Sequence, residues 1–393
     1  MKIIEVRKPE KKKRQVRALV LFSGGLDSLL AAKLLEEQRV EVVCLTFCSQ
    51  FFGAEEAQKA AAEQGWPLVV IDISQEQIPI VENPKYGYGR NMNPCLDCHG
   101  QMVRIAGQLM SEYAADFVAT GEVVGERPKS QNRQALQIVE KLSGIKGLVL
   151  RPLSAKLLPE TLPEKKGLIE REKLLDISGR SRKRQLELAE KYRLKEFLSP
   201  AGGCLLTDPA FSAKLKNLQQ WRGRLLSEDI ELIKAGRVFF EEEGLIIIGR
   251  NQQENEKIKE KAQESDVIIL ISAVEGVKGP LTVVRLKSQS AATLRAAGKA
   301  DLGWLKEGEE IRDDDRVGWA NDSGQIQKGS SKVGLAELGE GEIASKFSVV
   351  KKAALLTLRY SQGRHRESGQ VEIFWSGRSF KLEFSRSDWQ PYL

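Results

Sequence analysis

The chain predicts an α/β fold: a parallel sheet with helices on both faces, followed by a C-terminal α+β domain. Three observations predict it. Short apolar runs alternate with amphipathic stretches through the first half of the chain. Those runs are rich in β-branched residues and almost continuously hydrophobic, as strands covered on both faces are. Beyond about Pro209 the texture changes to a helical stretch and then short strands broken by glycine.

Taken in order, residues 18–22 read as the first buried strand and 27–38 as the helix after it. Residues 40–47 and 68–73 are two further strands, with a helix over 54–64 between them. Residues 114–120 and 147–150 supply two more, with helical stretches before and between. From 211 to 235 the pattern is helical. Strand-like runs follow at 237–240, 245–248, 267–271, 281–286 and 371–375, with turns at Gly244, Gly279-Pro280 and Ser376-Gly377. The expected divisions are a basic leader over 1–16, one domain over 17–215, and a second over 216–393 with an insertion at 298–343.

Lys and Arg number 61 against 54 Asp and Glu, a net charge of +7. Two clusters carry the excess. Between Met1 and Arg17 there are eight basic residues against two acids, notably Lys11-Lys12-Lys13-Arg14, and between Lys165 and Lys195 eleven against five. Such clusters suit a polyanion, though a solubilising tail and a solvated helix face would look the same. No apolar run approaches the roughly 18 residues of a membrane span, and no apolar stretch follows the first charges. A cytoplasmic location with no membrane partner is therefore expected. There, the five cysteines are thiols, ligands or core residues rather than disulfides.

Phe22-Ser23-Gly24-Gly25-Leu26-Asp27-Ser28 joins the first strand to the first helix. Two glycines let the backbone approach an anion, and the helix adds unpaired amides and the positive end of its dipole. Ser23 and Ser28 hydroxyls suit phosphate oxygens, and Asp27 suits a divalent cation. A tight turn with Asp27 or Ser28 as a mere helix cap is the plainer alternative. The spacing is not that of a Gly-x-x-x-x-Gly-Lys-Ser/Thr loop. It resembles the SGGxDS loop of the PP-loop ATP pyrophosphatases, a HUP-like fold. That resemblance implies ATP cleaved at the α-phosphate, AMP transfer to a carbonyl oxygen and release of pyrophosphate.

Cys95 and Cys98 stand at C-x-x-C spacing after Asn93-Pro94, and Cys204 follows Gly202-Gly203 far downstream. A turn can aim the first two sulfurs at one centre, and the glycines free the third to approach it. Three thiolates can hold a corner-open iron–sulfur cluster, or a persulfide with its resolving partner. Cys95 to His99 also matches the string of c-type haem attachment, which belongs to exported proteins. A zinc site lacks a fourth ligand, since the only histidines are His99 and His365. Cys44 and Cys48 read as core or rim thiols.

Thr120-Gly121-Glu122, Gly125 and Ser130-Gln131, with Arg151-Pro152-Leu153 after a strand, resemble the T-G-E…G…S-Q segment of the tRNA 4-thiouridine synthetases. Asn93-Pro94 with Cys98, and Gly203-Cys204, resemble the tRNA 2-thiouridylases. Cys95 stands where those enzymes carry Asp, as in the three-cysteine, cluster-dependent thiolases. The resemblance covers about residues 17–210. It implies ATP-dependent thiolation of a tRNA uridine, with Cys98, Cys204 and Asp27 catalytic and a [4Fe-4S] cluster on Cys95, Cys98 and Cys204. The nucleotide-binding candidates are Ser23, Gly24, Gly25, Asp27, Ser28, Thr46, Gly121 and Gln131.

The cofactors expected with them are ATP and Mg2+, and the partners tRNA and a sulfur donor, either sulfide or a cysteine desulfurase; a homodimer stays open. Arg104 or Arg127 would lower a thiol pKa. Arg127, Lys129, Arg133, Arg180, Arg182, Lys183 and Arg184 are candidate tRNA phosphate contacts. Residues 238–251 with Glu254-Asn255, Asp266 and Gly279-Pro280 resemble the NFACT-R type domain of RNA-binding proteins. Three alternatives stand beside this reading: a persulfide enzyme without a cluster, a non-catalytic RNA- or ribosome-binding protein with a relict nucleotide fold, and a synthetase forming an amide or lysidine.

Overall fold

The computed structural model describes residues 2–6, 15–194, 197, 203–263, 267–272, 279–286, 340–361, 364, 366–375 and 378–389. Lys11-Lys12-Lys13-Arg14, Lys195, Gly202, Asp266, His365, Ser376-Gly377 and residues 298–339 of the expected insertion lie outside them. The chain divides into two units, Met1–Lys216 and Asn217–Leu393.

In the first unit the order is β1 (Lys2–Val6), β2 (Arg17–Leu21), α1 (Leu26–Glu37), β3 (Glu41–Cys48), α2 (Glu55–Gln64), β4 (Leu68–Asp72) and α3 (Ser74–Glu82). Then come α4 (Cys95–Leu109), β5 (Phe117–Thr120), α5 (Arg133–Ser143), β6 (Val149–Leu150), α6 (Leu162–Lys165) and α7 (Lys183–Lys191). Side chains alternate along a strand, so β2 feeds two cores. Ala18 and Val20 pack with Leu29 and Ala32 of α1 and Ala57 and Ala60 of α2. Leu19 points the other way, to Val103 and Ala106 of α4 and Ala135 and Val139 of α5. Both faces are covered, which is why the strands are apolar at nearly every position.

The sheet order is β1-β4-β3-β2-β5-β6. Strands β2 to β6 pair in parallel, whereas β1 runs antiparallel to β4, with Lys2 opposite Asp72 and Val6 opposite Val69. Part of the expected leader is thus an edge strand, and the sheet is mixed rather than purely parallel. Ile3 lends that strand its hold by packing against the core. From β2 the chain winds outward through β3 to β4, then crosses back to place β5 on β2's other side. That reversal opens a crevice at the carboxyl ends of β2 and β5, where such sheets take their ligands.

The second unit's antiparallel sheet has the order β12-β11-β9-β10-β8-β7. Its chain order is α8 (Pro209–Arg222, begun in the first unit), α9 (Ser227–Ile233), β7 (Arg237–Phe240), β8 (Gly244–Ile248), α10 (Gln252–Gln263), β9 (Val267–Ser272) and β10 (Leu281–Leu286). It ends with α11 (Glu340–Tyr360), β11 (Ser368–Trp375), β12 (Arg378–Ser385) and the short α12 (Arg386–Trp389). Val349, Ala353 and Leu356 of α11 pack on Ile246, Ile248 and Val284.

Three expectations need correcting here. The single helix over 211–235 is two, because Gly223 takes a left-handed φ of 81° after α8. Gly244 is no turn but the start of β8, where a Cβ would fall 2.9 Å from Val349, so the bare backbone admits α11. Strand β12, absent from the expected strands, carries the alternating pattern Phe380-Lys381-Leu382-Glu383-Phe384. Among the described residues, no helix is long and apolar enough to cross a membrane.

Candidate functional site

The loop after β2 is held from both sides. Phe22 N donates to Leu45 O at 2.8 Å, anchoring the loop to β3. Gly24 has a φ of 77°, and a Cβ there would fall 2.6 Å from the Glu56 carbonyl oxygen, so the loop lies flat on the first turn of α2. Gly25 caps α1, and no side chain supplies a cap hydrogen bond. Asp27 and Ser28 are therefore not helix caps. The amides of the first turn keep the anion-binding character of a helix N-terminus.

The two serines differ. Ser23 is exposed, while Ser28 is buried and its Oγ donates to Gly25 O at 2.8 Å. The expected phosphate donor at Ser28 is thus committed to the loop itself, with Ser23 Oγ 3.4 Å away. Thr46 is buried in the carboxyl half of β3. Gly121, just past β5, presses on the loop from the far side of the crevice. Gln131 is buried and its Oε1 has no hydrogen-bond partner among the described residues.

Asp27 is partly buried, which raises its carboxyl pKa; Arg182 and Arg127 oppose that rise. Its Oδ1 has no partner among the described residues. Glu126 is raised by burial and by the Asp27 charge.

The cysteines come from two places. Cys95 and Cys98 open α4, where Asp97 pins the preceding loop by accepting from the Tyr86 amide at 3.0 Å. Cys204 is tethered by Leu205 N donating to Phe51 O at 2.9 Å and by Asn91 Nδ2 donating to Thr207 O at 2.7 Å. The two stretches act on one another, since the charges of Cys204 and Cys95 both push the Cys98 thiol up.

Burial dominates each of them. Cys98 is pushed up to about 12 by burial, with Gln77 Nε2 donating to its sulfur at 3.3 Å. Cys204 is pushed up to about 11, again by burial. Cys95 is raised by burial but opposed by Arg127 and Lys129, and its Sγ donates to Asn93 Oδ1 at 3.0 Å. The electropositive help expected for a thiol falls on Cys95 and comes from Arg127, while Arg104 is exposed on α4. Arg127 also acts on Asp27, so one guanidinium is felt at both the glycine loop and the cysteine site. Cys44 is fully buried in the core, and Cys48 sits half-buried at the rim near Asp72 and Glu55.

Among the described residues, no group of three or more His, Cys, Asp or Glu side chains is arranged to hold a metal ion. The expected cluster on Cys95, Cys98 and Cys204 is therefore not shown. The Asp27 carboxylate suits Mg2+ better, because that ion binds through one or two carboxylates and the phosphates of its substrate.

A buried polar chain, unread in the sequence, joins the two regions. Glu122 accepts from Arg151 Nε at 2.9 Å and from Thr120 Oγ1 at 3.1 Å, and its Oε1 lies 3.2 Å from His99 Nδ1. Burial alone would raise Glu122, but Arg151 and His99 hold it down at about 2. His99, beside Cys98 on α4, is thereby tied to the end of β5. Gln77 is equally unmarked in the sequence, since a glutamine two residues before Pro79 announces no sulfur partner.

Residues 13–156 match the family model described as thiamine biosynthesis protein (ThiI). The chain is 30% identical over 138 residues to the tRNA-specific 2-thiouridylase MnmA of Rhizobium etli, covering 30% of this chain and 34% of that one. With the MnmA of Rhizobium johnstonii the identity is 31% over 150 residues, covering 32% and 36%. The chain thus spans about a third of the length of these relatives. A solved 4-thiouridine synthetase–RNA complex with bound ATP aligns over 51% of this chain and 50% of that one, at 21% identity and a TM-score of 0.30. The stretch similar to ThiI is thus the one that carries the glycine loop, Cys95, Cys98, Glu122 and Arg151, and it ends before Arg182 and Cys204.

Proposed function

We propose that the first unit binds ATP at Ser23–Ser28 and uses it to thiolate a uridine of tRNA in the cytoplasm. The observation that carries this reading is the loop that holds Arg127 and Lys129: a Cβ on Gly89 would fall 3.5 Å from Lys129 and 3.6 Å from the Cys95 sulfur, and the Arg127 charge lowers both Cys95 and Asp27 of the glycine loop. Activation and sulfur transfer need that adjacency. The similarity of residues 13–156 to ThiI and to tRNA-specific 2-thiouridylases supports it.

A uracil carbonyl oxygen is a poor leaving group. Its attack on the α-phosphorus of ATP expels pyrophosphate and leaves the oxygen as part of an adenylate. The α1 amides stabilise the charge on the phosphates. Mg2+ held by Asp27 and the phosphates would neutralise charge on the departing pyrophosphate. A persulfide on Cys98 or Cys204, formed when its thiolate takes the outer sulfur of a cysteine desulfurase persulfide and leaves that enzyme's thiol behind, then attacks the carbon with its outer sulfur and AMP leaves. The partner thiol attacks the inner sulfur, forming a disulfide and freeing the thiocarbonyl, and an external dithiol resets the pair. No step is routed through a cluster. The family match ends at residue 156, so RNA binding by the second unit rests on its NFACT-R resemblance alone.

The test is anaerobic incubation of the protein with ATP, unmodified tRNA, a cysteine desulfurase with cysteine, and an external dithiol, followed by nucleoside mass spectrometry. Thiouridine is expected, together with one AMP per thiolation, and Cys98→Ala and Cys204→Ala abolish it. ATP hydrolysis with no thiolated nucleoside under any donor would defeat the reading. Iron and sulfide analysis of the same preparation decides the cluster route, since stoichiometric iron required for turnover would replace the persulfide step.

A further inference from the structure

Arg182 belongs by sequence to a basic run, Arg180 to Arg184, that suits an RNA surface. In the fold it turns inward. Its side chain is 19% exposed, against 51% for Arg184, which pairs with Asp176 on the surface. An Arg182 NH2 lies 4.0 Å from Asp27 Oδ2, an ion contact too long for a hydrogen bond. Arg182 Nε and Asp27 Oδ1 are both buried with no hydrogen-bond partner among the described residues. Gln185, fully buried, acts on the same carboxylate and lowers it.

This placement is built rather than incidental. Gly179 N donates to Val124 O at 2.8 Å, and Ser178 bridges to Val124 beside it. Ser154, fully buried, accepts from Val124 N and donates to Ile177 O, locking both strands of the crossing. Behind it Ala189 of α7 packs into the cluster of Leu30 and Leu34 of α1. A planar fork with an unused Nε–H is thus held rigidly beside the anion-binding end of α1, while buried polar atoms normally find partners.

We propose that Arg182 binds the β- and γ-phosphates of ATP, exchanging its long contact with Asp27 for bidentate hydrogen bonds to phosphate oxygens. This rests on the nucleotide reading of the Ser23–Ser28 loop. A charge-assisted bond pair predicts a loss of roughly tenfold to a hundredfold in affinity when it is removed.

Calorimetric titration of the full chain with ATP and with AMP, in Mg2+ buffer, tests it. Arg182→Gln is expected to weaken ATP by at least about tenfold and AMP by less than about twofold, with Arg184→Gln unchanged. Equal ATP affinity in Arg182→Gln, an equal loss for AMP, or an equal loss in Arg184→Gln overturns the proposal. The wild-type protein gives an answer that does not depend on the variant folding. ATP, but not AMP, is expected to shield Arg182 from phenylglyoxal, read by peptide mass spectrometry, and no shielding by ATP overturns the assignment. A wild-type protein that binds neither nucleotide removes the loop reading and this proposal together, whereas binding of both with Arg182 unshielded removes this proposal alone.

Discussion

Gly121 and Asp27 meet backbone to backbone: a Cβ on Gly121 would fall 2.6 Å from the Asp27 carbonyl carbon. The end of β5 and the glycine loop therefore share a surface with no room for a side chain. Gly24 closes the loop's other side against Glu56.

Gly121→Ala is expected to displace the loop and weaken ATP binding at least about tenfold, with a modest drop in melting temperature. Gly65→Ala is the control. Gly65 is left-handed, at φ 71°, as Gly121 is not, and has nothing within 4 Å of its would-be Cβ. It should cost about 1–2 kcal/mol of stability and leave ATP affinity as it was. Calorimetry and thermal melts on the two variants separate strain from loss of the site.

Glu122 stabilises the fold in a defined pH window. Its folded pKa of about 2 lies below the ordinary 4.5, so the unfolded chain binds more protons between those values and stability rises with pH there. The contribution, about 3 kcal/mol, is complete above pH ~4.5 and disappears as pH falls toward 2. Glu122→Gln leaves the 4%-exposed Arg151 without its counter-charge. Urea melts at neutral pH should show a loss of about 3–5 kcal/mol and a flatter acid limb than wild type.

Thiol chemistry should rank the cysteines. At pH 7.5 Cys95 is expected to react with iodoacetamide well before Cys98, which is buried and pushed up to about 12. Arg127→Gln removes the largest influence lowering Cys95 and should slow its alkylation several-fold while leaving Cys98 slow. Timed peptide mass spectrometry reads both rates, and Cys98 reacting first would contradict this order.

Asn132 caps α5 by accepting from Ala135 N at 2.8 Å, directly after Gln131. Asn132→Ala should cost about 1 kcal/mol in chemical denaturation. Lost definition around Gln131 would also appear as a fall in ATP affinity.

Much of the first unit is legible from local pattern. The apolar runs at 18–22 and 68–73 and the glycines at 24 and 25 declare strands and a close-approach turn, because periodicity and glycine freedom act within a few residues. The same logic fails at β1, whose few residues belong to the sheet only because β4 offers an open edge, and at Gly244, whose role depends on Val349 a hundred residues on.

The site divides the same way. From the sequence alone come the fold class, the loop and the residue types that phosphate and sulfur chemistry require. Tertiary structure alone decides that Arg127 acts on both the loop and Cys95, that Arg182 faces Asp27 rather than solvent, and that Glu122 ties His99 to Arg151. The reason is strand order. Reversing the winding between β2 and β5 makes neighbours of segments far apart in the chain, and a charge or hydrogen bond across that crevice leaves no trace in the periodicity of either one.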